Sequence, residues 1–157
     1  MNGTKTEGRC QVKRFVSALL MLPFLLLLAG CEDRASKEDI LSFVLEKEKS
    51  ILNCIETGDY TPLESQKPIV EISADDDCVD FYCGGSGFAS GSMYVGFFYT
   101  KEDDMKAIWC APSLPEYTLL PCDDGYMWKE VWTDEGGDNT YYVEKIVENI
   151  FYYEAQF

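Results

Sequence analysis

The chain has no histidine among its 157 residues. Ser-His-Asp and Cys-His catalysis, metal binding through imidazole and imidazole pH switching are therefore excluded. The sequence also lacks a Cys-x-x-Cys pair, so we do not expect a thioredoxin-type redox site. No Gly-Lys-Ser/Thr sequence accompanies the glycine-rich stretch at residues 84–92, which excludes a P-loop. Acid–base chemistry falls to carboxylates, lysine, tyrosine or cysteine, and no residue stands out as catalytic or as a metal ligand.

The start of the chain, as far as Cys31, carries an export pattern. Lys13 and Arg14 precede an apolar run over residues 15–28, and the chain continues Ala29-Gly30-Cys31. The run is 14 residues long, whereas a helix needs about 20 to span a bilayer. A short apolar segment with basic residues before it and small residues after it is typical of a secretory signal peptide.

The sequence Leu28-Ala29-Gly30-Cys31 resembles the lipobox of bacterial lipoproteins. The resemblance implies that the signal is removed, that the thiol of Cys31 receives a diacylglycerol and that the new N-terminus is acylated. It also implies a protein that this lipid holds at a cell membrane, facing outside the cytoplasm. The resemblance covers the signal and Cys31 only, and the rest of the chain resembles no family that would indicate an activity.

These boundaries divide the chain into a cleaved signal peptide over residues 1–30, a lipid anchor and short tether over 31–35, and a single extracytoplasmic domain over 36–157. Four of the 13 basic residues and one of the 28 acidic residues belong to the signal, which leaves nine against 27 and a net charge of −18. Such a charge argues against nucleic acid and against an anionic bilayer surface as partners. It favours a cationic protein or envelope component.

The domain is expected to be α+β. Ser36 with Asp39 three residues later is a capping pattern, and apolar residues then recur at helical spacing as far as Thr57, before Gly58. The fold class we predict is one N-terminal amphipathic helix packed on an antiparallel sheet of about five to six strands. The predicted helix stripe is Ile40, Leu41, Val44, Leu45, Ile51, Leu52 and Ile55. The predicted strand segments are 68–73, 79–83, 92–100, 105–111, 126–133 and 140–157, the last being one bulged strand or two strands broken near residues 148–149.

Five cysteines follow Cys31. Export would place them where disulfides persist. Cys54 lies in the helical pattern and is predicted to be buried and free. Two disulfides are predicted among the remaining four, with the connectivity left open: Cys78, Cys83, Cys110 and Cys122.

The segment 93–99 is apolar or aromatic on both faces, although a sheet with one wet face should alternate. One helix covers one face. Either the sheet therefore curls so that its second face covers itself, or that face forms a binding or dimer surface. The candidate residues for such a binding face are Tyr94, Phe98 and Tyr152.

Acidic loops separate the strands, and none of them matches the EF-hand pattern. Residues 134–139 come nearest in character to a calcium loop, and they fit an ordinary hairpin turn equally well. We therefore expect no cofactor beyond the lipid on Cys31, with calcium kept as an alternative.

The function that we favour is a binding or interaction module of the cell envelope. The alternatives are a small carboxylate-dependent envelope hydrolase and an inhibitor or immunity-type lipoprotein with a cationic target. The tether from Glu32 to Ala35 reaches at most about 14 Å. It predicts that the start of the helix faces the bilayer and that the acidic loops face away from it.

Overall fold

The structure is a computed structural model that describes residues 34–87, 91–108, 110–111, 119–130 and 139–157. The predicted signal peptide, Cys31 and residues 134–138 of the predicted calcium loop lie outside the described residues. The described chain contains one helix and one seven-stranded antiparallel sheet, which confirms the α+β class. Among these residues no helix is long and apolar enough to cross a membrane.

Helix α1 spans Lys37–Thr57. Ser36 caps it, since the Ser36 hydroxyl oxygen accepts a 3.1 Å hydrogen bond from the amide of Asp39. Gly58 ends it in the left-handed conformation at φ 71°, where its amide donates to the carbonyl of Cys54 at 2.8 Å. The capped boundaries therefore agree with the sequence prediction. The buried helix residues are Ile40, Phe43, Val44, Ile51 and Cys54.

The predicted apolar stripe of α1 is partly wrong. Leu45 is 59% exposed and Leu52 is 38% exposed, whereas Phe43 is buried. Leu45 and Leu52 each follow a buried residue and so point about 100° further around the helix. Only the narrower face around Val44 reaches the sheet.

The sheet joins two antiparallel meanders side by side. Its order is β1-β2-β3-β7-β6-β5-β4, so the last strand lies between β3 and β6 in the middle of the sheet. Each pair of neighbouring strands is antiparallel. The strands are β1 (Glu71–Ala74), β2 (Cys78–Ser86), β3 (Met93–Thr100), β4 (Leu120–Cys122), β5 (Gly125–Lys129), β6 (Thr140–Val147) and β7 (Ile150–Gln156).

The number of strands in the predicted fold needs correction, since the sheet has seven strands rather than five or six. The helix at residues 37–57 opens the described domain and is not at the N-terminus of the chain. Residues 140–157 supply two strands, because a turn at Glu148-Asn149 reverses the chain with Asn149 at φ 64°. Strand β4 was not predicted, since Pro121 disfavours a strand. Residues 105–111, predicted as a strand, contain turns instead in their described part.

The first hydrophobic core lies between α1 and one face of the sheet. The rings of Phe81 and Phe97 stack at 4.5 Å on neighbouring strands, and Phe43 of the helix lies 6.1 Å from Phe97. Tyr60 adds an edge contact to Phe81 beyond the helix end. This packing accounts for the helix-side face of β2, β3 and β7.

The second core covers the opposite face. It is built on Phe98 and Phe151, whose rings stack at 5.3 Å. Residues 105–111, which we name the covering segment, insert Ile108 and Cys110 into it, each only 3% exposed. The hydroxyl of Tyr141 donates to the carbonyl of Met105 at 2.7 Å. The second face is therefore covered by an irregular part of the same chain, which corrects the expectation of a curled or open face.

The two ends of the sheet differ in what they carry. At the end where β3 begins, the Arg34 guanidinium contacts the sulfur of Met93, and the amide of Ala35 donates to the carbonyl of Cys83 at 3.1 Å. We call this the Met93 end. At the other end of β3, three acidic turns meet; we call it the acidic end. Met93 and Thr100 mark the two ends, about 23 Å apart along the strand.

Candidate functional site

The acidic end combines the β1–β2 turn, the chain that leaves β3 and the β6–β7 turn. In each case a strand with apolar residues ends there and is followed by polar turn residues. Its lysines are Lys101, Lys106 and Lys145. Its seven carboxylates are Asp75, Asp76, Asp77, Glu102, Asp103, Asp104 and Glu148.

Lys101 connects the first two turns. Its ammonium donates to the carbonyl of Asp76 and lies 3.9 Å from a carboxylate oxygen of Asp77. Its amide donates to the carbonyl of Asp77 at 3.4 Å. All of these residues are exposed, so the ion pair contributes little by itself. The lysine nevertheless leaves most of the carboxylate charge of the turn open to solvent.

Asp103 connects the second and third turns. One carboxylate oxygen pairs with the Lys145 ammonium, and the other accepts a 2.9 Å hydrogen bond from the amide of Asn149. The Lys145 hydrogen bond and then the Asn149 amide hold the pKa of Asp103 below its ordinary value. Asp103 itself adopts φ 55°. Both of its oxygens are thus engaged, and its role is to join the turns rather than to receive a ligand.

An open cavity of about 600 Å³ lies beside the β1–β2 turn. A cavity of this size suits a small ligand or a protruding side chain. In the part of the chain that the structure describes, no group of three or more Cys, Asp and Glu side chains is arranged to hold a metal ion. The residues that line the cavity are Ala74, Asp75, Asp76, Asp77, Cys78 and Ala107.

A buried acid lies on β2, two residues after the cavity-lining Cys78. Asp80 is 8% exposed, and its carboxylate accepts a 3.1 Å hydrogen bond from the hydroxyl of Tyr153. Burial and then the charge of Asp80 raise the pKa of the Cys78 thiol to about 12. The same two causes raise the pKa of Cys110 and of Cys83. These thiols are protonated at neutral pH, and a protonated thiol is a poor nucleophile.

No protein-family model, no curated protein and no solved structure matches this chain. What the site does is therefore inferred from its own residues.

The structure does not bring the three candidate binding-face residues onto one exposed face. Phe98 and Tyr152 are fully buried, on opposite faces of the sheet, because Tyr152 pairs with Phe97 while Phe98 pairs with Phe151. Tyr94 is partly buried on the same side as Phe98, with its ring 6.3 Å from that of Phe157. The sequence showed that the strand is apolar on both faces, but it did not show that each face is covered.

The predicted pair of disulfides is absent, since the five described cysteines are free thiols. A disulfide needs α-carbons about 4.4–6.8 Å apart. Cys78 and Cys83 lie on one strand about 16 Å apart, and Cys122 is five strands from either of them, about 24 Å across the sheet. Cys83 and Cys110 belong to cores on opposite faces. Four cysteines can form two disulfides in three ways, and each way needs at least one of these excluded pairs. The prediction of two disulfides is therefore wrong.

Cys54 is 1% exposed and free, as predicted for a buried helix residue. Its thiol packs in the helix-side core. Burial followed by the charge of Asp59 raises its pKa.

A second polar cluster, unforeseen from the sequence, lies under the start of α1. The Lys37 ammonium pairs with Glu144 and donates to the hydroxyl of Tyr142 at 3.2 Å; that hydroxyl donates to Glu144 at 2.8 Å. On the neighbouring strand the hydroxyl of Tyr152 donates to Glu154. The repeated Tyr-x-Glu spacing at 142–144 and 152–154 was the available signal. Pairing of β6 with β7 turns it into a cross-strand square.

Opposing effects act on Lys37. Burial alone would lower its pKa, but the hydrogen bonds to Glu144 and Tyr142 raise it above its ordinary value. The Glu144 side chain is only 11% exposed. This cluster fastens the helix start to the sheet, and its carboxylates are already engaged.

Proposed function

We propose that this chain is a lipid-anchored extracytoplasmic binding module whose acidic end receives a cationic partner. The lipobox resemblance at residues 28–31 supports the anchor. The surplus of carboxylates at the acidic end supports the charge of the partner. Nucleic acid is not an expected partner, because the phosphate backbone would be repelled.

One observation carries the proposal: the chain joins the domain at the end of the sheet opposite to the acidic turns. Arg34 contacts Met93, whereas Lys101 and Asp77 meet just beyond Thr100. A tether of four residues keeps Cys31 within about 14 Å of the domain. A domain held this way has its Met93 end toward the bilayer and its acidic end toward a partner that approaches from the other side.

The chemistry of the described residues favours binding over hydrolysis. A carboxylate hydrolase needs one carboxyl group as acid and a second as base or nucleophile, both open to substrate. Glu144 and Glu154 are instead occupied by tyrosine hydroxyls and Lys37. The Cys78 thiol, which lines the cavity, is protonated at neutral pH because its pKa is raised to about 12. The exposed acids of the β1–β2 turn remain as groups for a lysine- or arginine-bearing ligand.

Site-specific photo-crosslinking in living cells tests the proposal. The full chain carries benzoylphenylalanine in place of Asp76, and a matched control carries it in place of Ser42 on the exposed side of α1. We expect a crosslinked protein from position 76 only. The identity of that protein separates a structural envelope partner from the toxin-like target of an inhibitor.

A second arm tests the charge. Asp75→Asn with Asp77→Asn should weaken crosslinking from position 76, because two carboxylates of the cavity lose their charge. Equal crosslinking from positions 76 and 42, or a product that these substitutions leave unchanged, would contradict the proposal.

A further inference from the structure

Strand β1 is an outer strand of the sheet, beside the acidic end. The sheet order places β2 on one side of β1 and no described strand on the other. Three of its four residues are exposed, and the fourth, Ile72, is half-buried. An outer strand presents a row of backbone amides and carbonyls with which another extended segment can pair. Strand β1 is therefore a place where a further strand can be added.

The pairing with β2 shows which backbone groups of β1 point outward. The amide of Asp75 donates to the carbonyl of Cys78 at 2.8 Å, which makes these two residues a hydrogen-bonded pair at the turn. In an antiparallel ladder such pairs occur at every second residue, so Ser73 also bonds to β2. Ile72 and Ala74 lie at the intervening positions. Their amides and carbonyls therefore point away from β2, toward the outer edge.

The outer strand at the other side of the sheet, β4, has no such donor. Cys122 pairs with Gly125 across a two-residue turn, which is the hydrogen-bonded position in a hairpin of this kind. Leu120 is bonded to β5 in the same way, and Pro121 takes the outward position between them. Proline has no amide hydrogen, and natural sheets use it to block an outer strand. Of the two outer strands of the described sheet, only β1 therefore offers outward amides.

Charge argues against a second copy of this chain as the added strand. Glu71 begins β1 and Asp75 follows its last residue, and both are exposed. In a two-fold antiparallel pairing centred on Ser73, the Glu71 of each copy would lie opposite the Asp75 of the other. Like charges directly opposite each other destabilise a pair of strands. Asp76 and Asp77 in the two turns would add to the repulsion, so the edge rejects its own kind.

The same charges favour a strand that carries lysine or arginine. Successive side chains of a strand point to opposite faces, so Glu71 and Asp75 share one face while Ile72 lies on the other. Ile72 packs against the helix-side core. A strand with basic residues at alternate positions would place its cations beside Glu71 and Asp75, and its apolar residues would extend the face of Ile72.

We propose that β1 receives an extended basic segment of the partner, which adds to the seven-stranded sheet as one more strand. The proposal rests on the proposed function, because it gives the way in which a cationic partner is held beside the acidic end. Hydrogen bonds to the backbone of Ile72 and Ala74 hold the segment in place. Pairing of its lysine or arginine side chains with Glu71 and Asp75 selects it.

Amide hydrogen exchange of the purified full-length chain, followed by NMR, tests the open edge. The probe is the synthetic peptide acetyl-Lys-Val-Lys-Val-Lys-Val-amide. In the free protein the amides of Ile72 and Ala74 should exchange faster than the amide of Ser73, which is bonded to β2. Saturating peptide should slow exchange at Ile72 and Ala74 by about tenfold or more. Slow exchange at both amides before peptide is added would show that the edge is already covered and would overturn the proposal.

Two control peptides separate charge from backbone pairing. Replacing the lysines of the probe by glutamate keeps the backbone and reverses the charge, whereas N-methylation of every amide keeps the charge and removes the donors. Neither peptide should protect Ile72 or Ala74. Equal protection by the glutamate peptide would overturn selection by charge, and equal protection by the methylated peptide would overturn strand addition.

Variants of the chain test the same edge by affinity for the lysine peptide. Ala74→Pro should weaken binding about five- to tenfold, because it removes one outward amide without breaking a bond to β2. Glu71→Lys keeps every amide and should weaken binding about threefold or more at low salt. The control is Leu120→Gln on β4, which is 62% exposed in the wild type and should bind as the wild type does. Unchanged binding in Glu71→Lys, or in a folded Ala74→Pro variant, would contradict the proposal.

Photo-crosslinking from position 76 in cells separates this proposal from the proposed function. A crosslinked partner that Ala74→Pro leaves unchanged, with no protection by the lysine peptide, would overturn strand addition and leave the cationic partner in place. Protection of Ile72 and Ala74 by the peptide, with no crosslinked partner in cells, would support the edge and count against the proposed function.

Discussion

The hydroxyl of Tyr153 reaches across a whole strand to donate a hydrogen bond to Asp80. The two residues lie on β7 and β2, with β3 between them, and the bond measures 3.1 Å. Gly96 makes this contact possible. It is the β3 residue paired with Tyr153, and because it has no side chain, the Tyr153 ring can lie across β3 at this position. A buried acid, a buried tyrosine and a glycine thus form one unit.

Gly96→Ala should destabilise the domain by about 2–4 kcal/mol. An added Cβ would lie 2.5 Å from the carbonyl oxygen of Phe81 and 2.8 Å from the Tyr153 ring, and neither the strand nor the packed ring has room to move. Urea unfolding followed by tryptophan fluorescence measures the loss. A change below about 0.5 kcal/mol would mean that the ring does not depend on this gap.

Tyr153→Phe should cost about 1–3 kcal/mol, because it removes a donor from a buried carboxylate while it keeps the ring. Tyr126→Phe is the matched control, since Tyr126 is 41% exposed, and it should change stability by less than about 0.5 kcal/mol. Thermal unfolding of both variants measures the difference. Equal losses of stability in the two variants would show that the hydrogen bond to Asp80 contributes no more than an exposed tyrosine hydroxyl.

Lys37→Met should destabilise the domain by about 1–2 kcal/mol at pH 7, because it leaves Glu144 partly buried without its cation. The control is Lys47→Met, which breaks a pair on the same helix with Glu46, whose side chain is 72% exposed, and it should cost at most about 0.5 kcal/mol. Urea unfolding of the two variants and the wild type measures both losses.

The contribution of Lys37 to the free energy of unfolding should also depend on pH. Because the pKa of Lys37 is raised above 10.5 in the folded protein, its contribution is fully present below pH 10.5 and is lost as the pH rises through the folded value. The stability difference between the wild type and Lys37→Met should therefore shrink in strongly alkaline solution. A difference that grows there would contradict the assigned ion pair.

Asp103 should govern the acid response of the turns that it joins. Its pKa is lowered from 3.8 in the folded protein, so the stability that it supplies is present above pH 3.8 and is lost as the pH falls through the lower folded value. An NMR titration of the Asn149 amide, which donates to this carboxylate, should show a midpoint below pH 3.8. Asp103→Asn should abolish that titration; its persistence would assign it to another carboxyl group.

Cys31→Ala should abolish labelling by a fatty-acid probe and release the protein from the membrane fraction. The reason is that the lipobox resemblance makes the Cys31 thiol the acceptor of the diacylglycerol. Intact-mass analysis of the wild type should show a chain that begins at Cys31 and carries lipid. A precursor cut elsewhere and without lipid would remove the basis of the proposed location. Cys10→Ser, which changes the cysteine that precedes the apolar run, should leave labelling unchanged.

Local patterns in the sequence were sufficient for the helix and for most strands. The Ser36 cap and the Gly58 stop are signals within one turn of chain, and they fixed α1 closely. The covering segment was mistaken for a strand because its apolar residues fill the second core without making a sheet ladder. Apolar content alone does not distinguish these two ways of being buried.

The candidate site depends on contacts between distant parts of the chain. Asp80 and Tyr153 are 73 residues apart, and their meeting follows from the position of β7 next to β3. The acidic runs at residues 75–77 and 101–104 were visible in the sequence, but their meeting at one end depends on strand order, which places the flanks of the acidic run at 134–138 at the Met93 end instead. Cross-strand neighbours cannot be known until the pairing is known.

The central position of β7 constrains how the sheet is assembled. In the native sheet β1-β2-β3 and β4-β5-β6 are joined only through β7, since β7 is the strand that pairs with both β3 and β6. Loss of residues 150–156 would therefore leave two unpaired inner edges rather than one, each able to pair with another molecule. A truncation before Ile150 should accordingly favour aggregation more than a truncation that removes an outer strand.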